Sequence, residues 1–87
     1  MITKSKIKKA LALAEKSHHL FEKEVLGGVF DKKWAMWYTA FVLGKLPELK
    51  NIVKLYNLIE DAAKRHKKHK DVDWIEFYAE YIVKRLS

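Results

Sequence analysis

Glu15-Lys16-Ser17-His18 places a carboxylate and an imidazole three residues apart, and Glu22 follows His18 by four. On an α-helix both spacings bring the side chains to one face. Imidazole with carboxylate is a ligand set for zinc or iron, and Glu-x-x-His on facing helices is a common way to build a metal site inside a bundle. A second histidine, His66, occupies a comparable place later in the chain, but Ala63 stands where Glu15 precedes His18. A symmetric two-metal centre therefore lacks part of its carboxylates. His66 and His69 are also three apart, yet Lys64, Arg65, Lys67, Lys68 and Lys70 surround them and repel a divalent cation. No metal and no cofactor is expected. The other reading makes His18 and His66 hydrogen-bonding residues on an apolar seam, with Tyr38, Tyr78 or an indole N–H as partner. On the ligand or metal reading, pseudo-symmetry gathers both histidines, with Glu15, Glu22 or Asp31, at one end of the fold.

Two further groups of residues carry chemistry. Trp34, Trp37, Tyr38, Phe41, Trp74, Phe77, Tyr78 and Tyr81 could line a ligand pocket, since such pockets are largely aromatic with a few polar groups. They also fill a small core, with their polar tips reaching water. Trp34, Trp37 and Tyr38 spread over more than a third of a helix circumference, so part of this surface is left for a ligand or a second subunit. The run Lys64, Arg65, Lys67, Lys68 and Lys70 is a candidate anion site, and nonspecific nucleic-acid binding there is an alternative function. The lysines at 4, 6, 8 and 9 fall at the opposite end of a bundle, which weakens that alternative, and no nucleic-acid-binding motif is present. Catalysis has no support. There is no cysteine, no Gly-x-Ser-x-Gly elbow and no phosphate-cradling glycine loop.

What positions these residues is a duplication. DKKWAMWYTAFVLGKL at 31–46 matches DVDWIEFYAEYIVKRL at 71–86, pairing Asp31 with Asp71, Trp34 with Trp74, Trp37 with Phe77 and Tyr38 with Tyr78. The preceding segments align more weakly, Leu11 with Ile59, Ala14 with Ala62 and His18 with His66, at a spacing eight residues wider. Ile7, Leu11, Ala14, His18, Phe21 and Val25 form a helical seam, with Thr3 or Ser5 as cap and Gly27-Gly28 as terminator. Asp31 is the expected cap of a second helix with Trp34, Tyr38, Phe41 and Lys45 on its buried side. Pro47 suits the first position of a third helix, whose seam is Leu49, Ile52, Tyr56, Ile59, Ala63 and His66, widened by Val53, Leu55 and Leu58. Asp71 or Asp73 caps a fourth, with Trp74, Tyr78, Tyr81 and Arg85. The expectation is an all-α, up-down-up-down four-helix bundle, long–short–long–short, made of two helical hairpins (residues 3–46 and 48–86) in one pseudo-twofold domain covering 1–87.

The segment His18-His19-Leu20-Phe21-Glu22, then Gly27 to Asp31, Trp34, Trp37 and Tyr38, resembles a small helical family with an Asp-x-x-Trp-x-x-Trp-Tyr-Ala-x-Tyr-Leu motif. The motif recurs in degraded form from Asp71 to Tyr81, with Ala35 and Ile75 where the family often has proline. The resemblance implies a helical fold and brings no activity with it.

The rest of the composition sets bounds. The 87 residues, 49% of them hydrophobic with 3 Gly and 1 Pro, suit one compact core. No apolar run is long enough for a bilayer, so no membrane association is expected, and the basic N-terminus does not read as a signal peptide. Absence of cysteine fits a cytoplasmic location. A net charge of +7 suits anionic partners as well as an ordinary lysine-rich surface. The function expected is a non-catalytic helical binding domain that meets a protein partner or forms a homodimer. Its candidate surface is Trp34, Trp37, Tyr38, Trp74, Tyr78, His18 and His66, with a small-ligand or metal site at the His18/His66 end as an alternative.

Overall fold

Side-chain caps set the helix starts in the computed structural model, which describes residues 2–86. Thr3 Oγ1 accepts the Lys6 N–H at 3.2 Å and opens α1 (Lys4–Glu24). Asn51 Oδ1 accepts the Lys54 N–H at 3.0 Å and opens α3 (Ile52–His66). Asp73 Oδ2 accepts the Glu76 N–H at 3.2 Å at the start of α4 (Trp74–Leu86). Each short acceptor satisfies an amide that the first helical turn leaves without a partner. The remaining helix, α2 (Trp34–Lys45), starts at Lys33 with no side-chain cap.

The four helices form an all-α bundle in which α1 packs on α2 and α4, and α3 packs on α2 and α4. Sequence neighbours are thus spatial neighbours, as short connections require. Among the described residues no helix is long and apolar enough to cross a membrane.

The core repeats. Ile7, Leu11 and Ala14 on α1 are fully buried, and so are Leu55, Ile59 and Ala62, each 48 positions later on α3. Thr39 and Val42 on α2 correspond to Ala79 and Ile82 on α4, 40 positions on, again with all four buried. The two spacings read from the sequence are those on which the buried positions coincide. Ring contacts repeat as well. His18 meets Tyr38 at 5.3 Å and Trp37 at 5.7 Å between centroids, while His66 meets Tyr78 at 6.1 Å and Phe77 at 5.3 Å.

Several sequence expectations shift by a residue or a turn. The line buried on α2 is Ala35, Tyr38, Thr39 and Val42, not Trp34, Phe41 and Lys45. Small side chains sit where helices approach most closely, and the large rings flank them. Thr39 Oγ1 donates to the Ala35 carbonyl at 2.7 Å, which satisfies its buried hydroxyl. On α3 the buried line is Leu55, Ile59 and Ala62, so Ile52 is exposed and Tyr56, Ala63 and His66 are half-buried. Pro47 does not begin α3. It begins a one-turn 3-10 helix, Pro47–Leu49, after which Lys50 takes φ +60° and breaks the path before Asn51. Val25, expected on the α1 seam, caps the helix from the solvent side. Arg85 is exposed, with its guanidinium 3.7 Å from the Tyr81 ring centroid.

Candidate functional site

The end of α1 turns back on itself through two glycines. Gly27 and Gly28 take φ of +63° and +86°, the left-handed region that costs a Cβ-bearing residue most, and the Gly28 N–H reaches the Glu22 carbonyl at 2.8 Å. The reversal returns Phe30 and Asp31 to the α1 surface. Asp31 was expected to cap α2. Its Oδ1 does accept the Lys33 N–H at 2.9 Å, but Oδ2 accepts the Nε2–H of His18, also at 2.9 Å. Glu22 Oε2 in turn accepts the Asp31 N–H at 2.9 Å, and Glu22 Oε1 lies 3.8 Å from His18 Nδ1. The His18 bond, and after it the Lys33 amide, hold the Asp31 carboxyl below the usual carboxylate range. The partner of His18 is therefore a carboxylate, not the expected tyrosine or indole.

Beside this knot lies an open pocket of about 300 Å³ between α1, α2 and α4. Glu15, His18 and Glu22 line it from α1, Trp34 and Tyr38 from α2, Trp74 and Tyr78 from α4, and Phe30 from the turn. Glu15 Oε2 accepts the Trp74 Nε1–H at 3.0 Å, tying α1 to α4 across the rim. Trp34 stands edge-on to Tyr38 at 5.9 Å, and Trp74 edge-on to Tyr78 at 5.0 Å and to Tyr38 at 5.7 Å. Burial, followed by the negative charge of Glu15 and Glu22, pushes the Tyr38 phenol up to about 12, and burial pushes Tyr78 up to about 12.

Five of the seven surface candidates thus share one pocket: His18, Trp34, Tyr38, Trp74 and Tyr78. Trp37 stacks on Phe21 at 4.7 Å, away from it, with its indole N–H buried and without a hydrogen-bond partner. His66 stays behind Tyr78 and donates its Nε2–H to the Val72 carbonyl at 2.7 Å. The two histidines occupy the same end of the bundle but are linked only through the rings of Tyr38, Trp74 and Tyr78. Among the described residues no group of three or more His, Asp or Glu side chains is arranged to hold a metal ion.

The basic run lies at and beyond the C-terminal end of α3, where cations suit the negative end of the helix dipole. Lys64, Lys67, Lys68 and Lys70 are exposed. Arg65 is engaged, with Nε 3.4 Å from Asp61 Oδ2 and its guanidinium 5.5 Å from the Tyr81 ring.

A second surface was not singled out from the sequence. Met36, Thr39, Ala40, Ile52, Val53 and Tyr56 line an apolar groove of about 470 Å³ between α2 and α3. Met36, Ile52 and Val53 are 59%, 51% and 64% exposed. The Tyr56 hydroxyl donates to Glu60 Oε1 at 2.6 Å. The signal was present in the duplication. At the repeat spacings Met36 and Ala40 correspond to Glu76 and Glu80, and Ile52 and Tyr56 to Lys4 and Lys8. On the α1–α4 face those four charges pair: Glu76 binds Lys4, Lys8 Nζ reaches Glu76 Oε2 at 2.6 Å, and Lys4 Nζ is 4.0 Å from Glu80 Oε2. One face carries an ion-pair lattice, and its counterpart is bare and apolar.

Together these features define a four-helix bundle with an open aromatic–carboxylate pocket and one apolar groove. A scan of protein-family models, a search of curated proteins and a search of solved structures each give no significant match to the chain.

Proposed function

We propose that this protein is a small non-catalytic interaction domain, working in the cytoplasm, that pairs with a second copy of itself through the α2–α3 groove. The observation that carries the reading is the replacement of the Lys4, Lys8, Glu76 and Glu80 lattice by Ile52, Tyr56, Met36 and Ala40 at the equivalent positions. A solvated face keeps its charges, and a contiguous exposed apolar one gains by being covered. The occupant is a copy of the same chain because a twofold contact sets each patch on its own counterpart. From Trp34 to Gly44, α2 carries no charged side chain, so its copy meets no like charge there. The net charge of +7 opposes pairing elsewhere, and salt screens it.

Sedimentation velocity tests this. The wild type should show a monomer–dimer equilibrium that moves toward dimer with added salt. The double substitution Met36→Glu with Ile52→Lys transplants the Glu76–Lys4 pair and should give a monomer of unchanged helicity. A wild type that sediments as a monomer at every concentration and salt level would overturn the reading.

A further inference from the structure

Tyr38 and Tyr78 are 8% and 7% exposed, both line the pocket between α1, α2 and α4, and neither hydroxyl has a hydrogen-bond partner among the described residues. Trp37 Nε1 is the one buried side-chain polar atom without a partner among the described residues, so the two tyrosine hydroxyls are not sealed in and can bond what enters the cavity they line. The carboxylates beside them are also half-used. Glu15 and Glu22 each accept a hydrogen bond through Oε2, from the Trp74 indole and the Asp31 amide, and neither Oε1 accepts one. The negative charge of both glutamates acts on the Tyr38 hydroxyl. In a chain of net charge +7, no lysine or arginine lines this cavity.

The composition of the walls selects the ligand. Two carboxylates exclude an anion, and a neutral ligand leaves their charge unused. Five aromatic side chains (Phe30, Trp34, Tyr38, Trp74 and Tyr78) and two carboxylates are what attracts an organic cation, through the negative ring faces and through direct charge. The free acceptors are four oxygens, two carboxylate and two phenolic, so a cation that carries N–H donors matches them and a quaternary one does not. We propose that this pocket binds a primary alkylammonium group, whose three N–H donors reach Glu15, Glu22 and one tyrosine hydroxyl while its carbons lie against Trp34 and Trp74.

The repeat supplies an internal contrast. The positions equivalent to Glu15 and Glu22 are Ala63 and Lys70, so the second copy contributes rings to the pocket and no charge of the required sign. The site shares no residue with the α2–α3 groove, and its test is separate from that of self-association.

The indole N–H resonances of Trp34 and Trp74 report on the pocket. Butylammonium chloride at constant ionic strength should shift both saturably, tetramethylammonium should bind several-fold more weakly, and butanol should give no saturable shift. Glu15→Gln with Glu22→Gln should weaken butylammonium binding by about 10-fold, the loss of a charge-assisted contact. Tyr38→Phe with Tyr78→Phe should weaken it without changing the charge, and Met36→Glu with Ile52→Lys should leave it unchanged. Lysine amide blocked at its α-nitrogen distinguishes the sources: binding tighter than butylammonium assigns the group to a protein side chain, weaker binding to a free amine. Absence of saturation with either ammonium probe, equal effects from butanol, or full binding by folded variants of both kinds would overturn the proposal.

Discussion

Asp31 and His18, 13 positions apart, are joined by a 2.9 Å hydrogen bond that closes the Gly27-Gly28 turn onto α1. The bond takes Oδ2, while Oδ1 accepts the Lys33 N–H ahead of the helix, so α2 starts at Lys33 without a side-chain cap of its own. Tertiary contact has won over local capping here. Asp31→Asn should therefore lower the melting temperature by several degrees, and Asp31→Ala by more, since it also removes the acceptor of the Lys33 amide. The Asp31 carboxyl is held below its ordinary value, so its contribution is present above that value and is lost as pH falls through the lowered one. Thermal melts across the acid range should show this loss in the wild type and not in Asp31→Asn.

Trp37→Phe runs against the usual cost of truncating a core tryptophan. The indole N–H of Trp37 is buried without a partner, and the equivalent residue in the second copy is Phe77. Removing an unsatisfied donor offsets much of the lost ring area, so stability in urea should stay within about 1 kcal/mol of wild type. A loss several times larger would show that the indole does more than fill space.

Glu76 receives both Lys4 and Lys8, and these bonds depress its carboxyl to about 2. Its stabilising effect is present above about pH 4.5, the ordinary carboxyl value, and disappears as pH falls toward about 2. Glu76→Gln should flatten acid unfolding over that window. Added salt should do the same to the wild type, because the pair is at the surface.

At the alkaline end the tyrosines decide. The fold holds Tyr38 and Tyr78 neutral up to about 12, against an ordinary 10.0. Their burial stabilises the fold fully below pH 10 and ceases to do so as pH rises through about 12. Phenolate absorbance should contain a late component that Tyr38→Phe with Tyr78→Phe abolishes. Its midpoint should coincide with loss of helicity.

The repeated core predicts paired sensitivities. Leu11→Ala and Ile59→Ala act at equivalent, fully buried positions, and each should cost about 2–5 kcal/mol. Equal denaturation midpoints would support equivalent packing of the hairpins. A wide gap between them would show that one copy carries the core.

The bundle was legible because its information is periodic. Ile7, Leu11, Ala14 and His18 recur at helical spacing, and the 31–46 and 71–86 segments repeat one another, so helix number and order follow from the chain itself. Capping was legible only where the acceptor stays local, as at Thr3 and Asp73. It failed at Asp31, whose carboxylate has a distant competitor, and at Pro47, where the positive φ of Lys50 inserts a separate turn.

The helices, the duplication and the residue types each copy gained or lost can all be read along the chain. The buried face of α1 was already readable in Ile7, Leu11, Ala14 and His18, whereas that of α2 emerged from packing, because close approach favours Ala35 and Thr39 over the more hydrophobic rings beside them. The tertiary structure alone put Glu15, Glu22, Tyr38 and Tyr78 around one cavity, and set the bare Met36–Ile52 groove against the charged Glu76–Lys4 face. Spacing along a chain fixes neighbours within a helix. The angle and depth at which helices meet depend on side-chain volumes on both partners at once, and no single segment carries that information.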